Sequence, residues 1–243
     1  MKVVKVFQLL IIVAFINSCD ENNPINPFGS TSQIYSISGK IEGWHLGSDK
    51  EVILLGNEST TEVFAKSKVD SEGNFNLIKL SAPTEILYNT VNPQFSNEGI
   101  INKTINCSDS SAMKIWGYLC VVKAGDTTNN VIGRIYEGKF SDTTIINENS
   151  FNTGDFSINY IYADKDVNVS GEIETHYTDT YQNKEYHYYN DYNLSYKKGW
   201  NKEVKIIKSK EILSDSLHLK INSEVSYSNS EPNGSYWIYH DGH

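Results

Sequence analysis

Asp70-Ser71-Glu72-Gly73-Asn74-Phe75-Asn76-Leu77 is the stretch that decides the fold class. Its first five residues are turn text. Asp and Asn side chains accept hydrogen bonds from nearby backbone, and Gly73 suits a left-handed turn position. The text then alternates, with Phe75, Leu77 and Lys79 set against Ile78 and Leu80. Such alternation marks a half-buried strand. A second strand-like run, 62–69, precedes the turn, so the spacing predicts a β-hairpin across 70–74.

The same pattern extends outward in both directions. Residues 34–41 alternate, with Tyr35, Ile37, Gly39 and Ile41 on one face and Ile34, Ser36, Ser38 and Lys40 on the other. Residues 51–55 are a compact apolar run. Four strands are therefore expected over 34–80. The text of 84–112 is weaker, with Pro93, Gly99 and a Ser/Asp cluster at 108–111, and a domain boundary is placed between about 85 and 112. Strand-like runs return over 114–123, 131–140, 155–162, 166–176, 186–197, 202–208, 217–227 and 235–239. Turn text separates them, including Gly125-Asp126, Lys198-Gly199 and Asn233-Gly234. Short strands at this spacing predict a second sandwich or a partly closed barrel. The 16 Tyr, together with plentiful Ile, Val and Thr, suit pleated, half-buried surfaces. No window beyond the first 18 residues sustains a helical period.

The N-terminus reads differently. Lys2 and Lys5 precede an uncharged apolar run over 6–16, which closes on Ile16-Asn17-Ser18-Cys19. The run is too short to span a bilayer, which takes about 20 apolar residues. This layout resembles a bacterial lipoprotein signal with its lipobox. The resemblance implies cleavage before Cys19, lipid on its thiol and new amino terminus, and a protein tethered to the bacterial outer membrane. One acyl chain anchors only marginally, so two or more are needed. The acidic start Asp20-Glu21 resembles surface-export text of Bacteroidetes lipoproteins and also reads as a solvated tether. Expected domains are a signal over 1–18, a flexible tether over 19–33, and two β domains over 34–105 and 106–243.

A second resemblance rests on Ser38-Gly39-Lys40-Ile41, Val52-Ile53-Leu54-Leu55 and the opening 70–77 stretch. These resemble the carboxypeptidase regulatory-like, or transthyretin-like, β-sandwich, although the family's usual middle Gly-x-x-Leu-x-Gly-Val text is missing or eroded. The resemblance covers about a fifth of the chain and implies an all-β chain with an N-terminal Ig-like/transthyretin-like sandwich that acts as a scaffold without catalysis. Residues 160–171 and 193–201 resemble text of uncharacterised Bacteroidetes lipoproteins, which brings no activity with it.

The net charge is −9, and loss of residues 1–18 removes two lysines and no acid, leaving −11. With no basic cluster, nucleic acid is excluded as a partner. No nucleophile elbow, zincin motif or phosphate loop is present, so no catalytic residue and no cofactor is named. Asp164, Asp166 and Asn168 have the spacing that opens a calcium loop, but Val169 and Thr175 stand where Gly and Glu are required. No metal site is assigned. Cys107 and Cys120 are candidates for a disulfide, which the envelope permits. Cys120 also reads as a small buried hydrophobe within 118–122.

The most unusual text is 175–200, with seven tyrosines, His176, His187 and Trp200. Tyrosine carries a flat apolar face and a polar tip, which suits stacking on sugars or proteins. A turn at Gln182-Asn183-Lys184 makes Tyr181, Tyr186 and Tyr188 the exposed candidates for ligand binding. Tyr192 and Tyr196 are expected inside, beside Leu194. The other reading is a twisted hairpin held by cross-strand aromatic pairs. The expected function is a binding, adhesion or scaffold module whose partners are the membrane, through Cys19, and a glycan or envelope protein. The alternative is a glycan-acting envelope enzyme whose site is assembled from distant strands.

Overall fold

The computed structural model describes residues 33–56, 62–84, 89–93, 99–126, 130–144, 150–180, 183–214 and 219–241. Cys19 and Tyr181 lie outside them. The chain is all-β, with no helix among the described residues. Its strands are β1 (Ser36–Glu42), β2 (Lys50–Leu55), β3 (Val63–Lys68), β4 (Asn74–Ile78), β5 (Asn89–Thr90), β6 (Ile100–Lys103), β7 (Asn106–Cys107), β8 (Met113–Lys123), β9 (Val131–Lys139), β10 (Phe156–Ala163), β11 (Val167–Asp179), β12 (Lys184–Tyr196), β13 (Gly199–Ser214), β14 (Leu219–Ser228) and β15 (Tyr236–His240). Each of the twelve strands expected from alternation is present. The three short ones, β5 to β7, fall in the weakly patterned 84–112 stretch.

The turn at 70–74 forms as expected. Gly73 is left-handed with φ 90°. Asp70 Oδ1 accepts hydrogen bonds from the Glu72 and Asn74 amides, both at 2.9 Å. The flanking strands, however, do not form a hairpin. β3 pairs with β2 and β4 pairs with β1. The chain folds over from one pair to the other. The apolar faces then meet, so Ile37, Ile41, Phe75 and Leu77 share a core with Val52, Leu54 and Phe64. Burying both faces against each other outweighs the local preference for pairing across the turn.

Eleven of the fifteen described strands lie on one open path, β4-β1-β15-β9-β8-β10-β13-β14-β12-β11-β6, while β2 and β5 join it at β8, β7 at β11, and β3 pairs with β2. β8 pairs with β10 over 114–117 and with β9 over 119–122, and β9 takes over the edge of β10 at Phe156 to Ile158. The expected boundary between 34–105 and 106–243 is crossed repeatedly. β2 pairs with β8 from Lys50↔Lys123 to Leu55↔Tyr118, and β1 runs parallel to β15 at Ile41↔Trp237. The main core likewise draws Ile37, Val52 and Leu77 from one side of that boundary and Ile115, Phe156, Trp200 and Trp237 from the other. Gly39 shows how closely the sides fit: a Cβ there would lie 2.1 Å from Trp237 Nε1.

Asn201 and Asn229 secure the junction where β12 hands over to β13. Asn201 is fully buried. Its Oδ1 accepts from the Lys197 amide at 2.9 Å, and its Nδ2 donates to the Lys197 and Gly199 carbonyls at 2.7 Å. Beyond the end of β14, Asn229 accepts from the Ser195 amide and donates to the Lys202 carbonyl at 2.7 Å. One side chain there replaces a missing strand.

Candidate ligand-binding trough

Side chains alternate across a sheet, so register decides which residues share a face. β11 and β12 pair over their full length, and β12 runs parallel to β14. Tyr186, Tyr188, Asn190 and Tyr192 therefore stand beside Ile221, Ser223, Val225 and Tyr227. Across β14, Lys205 lies opposite Tyr227 and Ile207 opposite Val225. A bulge after Ile207 then brings Lys210 opposite Ser223. On the far edge of β13, Glu203 pairs with Asn159, and β10 places Ile161 opposite Trp116. This face is the reverse of the one covered by β1 to β4.

The face is hollowed into two clefts. The first, of about 520 Å³, is lined by Trp116, Tyr118, Asn159, Tyr192, Glu203, Lys205 and Tyr227, and residues 89–93 wall it. The second, of about 490 Å³, is lined by Tyr186, Tyr188, Asn190, Lys210 and Ser223, with Phe151 at its side. Lys205 and Tyr227 line both, so the clefts form one trough.

Aromatic rings organise its surface. Tyr192 and Tyr227 stack at 4.7 Å with 5° between planes. Lys114 lies over Trp116 at 4.6 Å and Arg134 over Tyr118 at 5.3 Å. Such cation–π contacts fix the ring planes. At the other end Tyr186 contacts Tyr177 at 4.6 Å and Tyr188 at 5.9 Å, and Tyr177 lies 6.1 Å from Tyr188, so three near-parallel rings form a triangular cluster. Tyr186 is thereby buried at 8% exposure, against the expectation that it is exposed, because its cross-strand partner Tyr177 covers it. Tyr188 is half-buried in the second cleft. Tyr192 and Tyr196 are buried beside Leu194, as alternation predicts.

Charged groups enter the floor. Glu203 and Lys205 are almost fully buried, at 6% and 7% exposure. The Tyr196 hydroxyl donates to Glu203 Oε2. Burial raises the Tyr196 hydroxyl well above the usual phenol range, and the Glu203 charge adds to the effect, so it remains a protonated donor. A matching pair lies on the opposite face, where the Tyr160 hydroxyl donates to Glu137. Lys202 bridges Glu137 at 3.3 Å and Glu231 at 2.8 Å. Burial raises the Glu137 pKa, while Lys202 and the Tyr160 hydroxyl act against that rise.

The remaining candidates do not converge. Asp164 accepts from the Met113 amide and Asp166 from Lys197 and Lys198, all at 2.8 Å, so both tie down turns. Among the described residues no three His, Cys, Asp or Glu side chains form a metal-holding group. Cys107 and Cys120 are both free. Cys107 packs with the Val167 and Val169 core and Cys120 with Ile53 and Val122, so the two thiols belong to separate clusters. Burial pushes the Cys120 thiol up to about 11, which leaves it inert. Trp116, Tyr118, Glu203, Lys205 and Tyr227 carried no sequence signal as a site. They stand on strands far apart in sequence, and only register unites them. No protein-family model, curated protein or solved structure matches the chain.

Proposed function

We propose that this chain is a bacterial outer-membrane lipoprotein that binds glycans in the trough without acting on them. The Cys19 lipobox with Lys2 and Lys5 supports the anchor, and residues 19–33 serve as tether. The N-terminal strands, joined to the rest of the sheet through β15 and β8, act as a transthyretin-like scaffold. The packing of the β1–β4 pair over β2 and β3 supports this reading. The strands after it form the open, partly barrel-like sheet that carries the trough.

The first cleft carries the functional reading. Trp116 and Tyr118 line it together with the hydrogen-bonding groups of Asn159, Glu203 and Lys205. Flat rings beside a few polar groups suit a sugar, whose ring faces are apolar and whose edge is hydroxylated. Binding is favoured over hydrolysis because glycoside cleavage ordinarily needs two facing carboxyl groups. Glu203 is the one carboxylate among the described residues lining that cleft.

The mature chain on a glycan array tests this reading. Binding is expected, and Trp116→Ala with Tyr118→Ala should weaken it about tenfold, roughly 1.4 kcal/mol. Undiminished binding by the folded double variant, or no binding to any glycan, rejects the proposal. Cys19→Ala should move the protein from the detergent to the aqueous phase on phase separation. A wild type already in the aqueous phase rejects the anchor.

A further inference from the structure

Two polar side chains on the second cleft are buried without being used by the protein. Asn190 and Ser223 keep 9% and 6% of their surface exposed. Among the described residues neither side chain makes a hydrogen bond to the protein, yet neither has an orphaned atom sealed from solvent. Their polar atoms therefore open on the cleft that both residues line. Register puts them there. Alternation along β12 turns Asn190 to the same face as Tyr188 and Tyr192. On β14, Ser223 stands beside Tyr188, and Val225 beside Asn190. The charged groups of this cleft are engaged elsewhere. Lys210 donates to the Phe151 carbonyl at 2.8 Å, and Lys205 lies over the Tyr227 ring at 5.9 Å. Asp179 and Lys184 are cross-strand partners at the end of the β11–β12 hairpin.

A buried amide or hydroxyl without a partner costs stability. The amide offers two donors and an acceptor, and the hydroxyl offers both kinds in one group. Sugar hydroxyls return the same set, since each donates and accepts. A carboxylate or sulfate only accepts and an ammonium only donates, so either would leave part of the set unmet. The half-buried ring of Tyr188 lines the same space. Tyr192, four residues further along β12, lines the first cleft. That separation is about 13 Å of strand, further than one sugar ring reaches. A chain of sugars spans it, and the two clefts adjoin at Lys205 and Tyr227.

We propose that the second cleft is a further sugar subsite, in which the Asn190 amide and the Ser223 hydroxyl hold the hydroxyls of a neutral unit beside Tyr188, so that the trough takes a stretch of neutral glycan chain rather than a single sugar. The inference rests on the glycan reading and deepens it. The first cleft holds the next units of the same chain against Trp116 and Tyr118.

Titration calorimetry on the mature chain tests this with the hexasaccharide and the disaccharide of the cello-, xylo-, manno- and malto-series. At least one hexasaccharide should bind about tenfold tighter than its disaccharide. Asn190→Leu with Ser223→Ala should remove that advantage and leave the disaccharide affinity unchanged, because the disaccharide sits in the first cleft. Trp116→Ala should weaken both lengths. The Asn190→Leu, Ser223→Ala variant should resist urea at least as well as the parent, since it deletes polar groups that the protein leaves unpaired. A clear loss of stability, or failure to fold, would show that the protein itself uses these groups, and overturns the subsite. Equal affinity for both lengths in every series, or a length preference that survives the double substitution, overturns the subsite and leaves the glycan reading standing. If none of the four series binds while other glycans do, the neutral-chain inference is again overturned alone. Failure to bind any glycan overturns both.

Discussion

Asn201 lies without exposed surface beneath the turn that joins β12 to β13, and its side-chain amide satisfies three backbone groups of Lys197 and Gly199. Its role is local and geometric. Glu137 poses the opposite case, a carboxylate whose burial is only partly compensated by Lys202 and Tyr160. Because burial raises its folded pKa above the unfolded value, the native state holds the proton more tightly. Its stabilising contribution is complete below the ordinary glutamate range and is lost as pH rises through the raised value. Glu137→Gln removes that dependence. Urea unfolding of both proteins from pH 4 to pH 7 should show the variant gaining relative stability as pH rises. A difference that is constant with pH would contradict the assignment. Carboxylates in exposed turns, such as Asp70, whose pKa is lowered chiefly by the Asn74 side chain, vary in the opposite sense and cancel between the two proteins.

At the scale of elements, the β11–β12 hairpin carries the cross-strand aromatic contacts of one sequence reading and the cleft-lining tyrosines on which the other is proposed. Tyr177, Tyr186 and Tyr188 form a cluster of near-parallel rings, and all three line the second cleft. Tyr186 is buried in that cluster, so Tyr186→Ala should cost about 3–5 kcal/mol, in the range of buried aromatic truncations. Tyr188→Ala, at a half-buried position, should cost less than half as much while weakening ligand binding. Equal losses of stability in the two variants on chemical denaturation would contradict this division. The burial of Tyr192 and Tyr196 was legible because alternation beside Leu194 fixes a face. The burial of Tyr186 was not, since it depends on Tyr177 lying directly across the ladder. Likewise the turn at Gly73 was legible from local chemistry. That β4 joins β1 and β3 joins β2 was not, because those choices depend on which apolar faces meet later. The trough stayed hidden for the same reason: Trp116 and Tyr227 are separated by most of the second half of the chain. The bulge that presents Lys210 has no signature in the text of β13.

For the whole molecule, ladders and core cross the stretch where a domain boundary was expected. The described chain should therefore unfold in one transition, with circular dichroism and tryptophan fluorescence coincident in urea. Two separated transitions would show that residues 34–105 and 106–243 fold independently after all. The central claim is the proposal that the face of the sheet turned away from the main core holds a ligand. Hydrogen–deuterium exchange of the mature chain, with and without a saturating oligosaccharide, tests it most directly. Slowed exchange is predicted in β8 over 113–118, in β12 over 186–193 and in β14 over 221–227. Slowing confined to 36–78, with β8 and β14 unchanged, would contradict it.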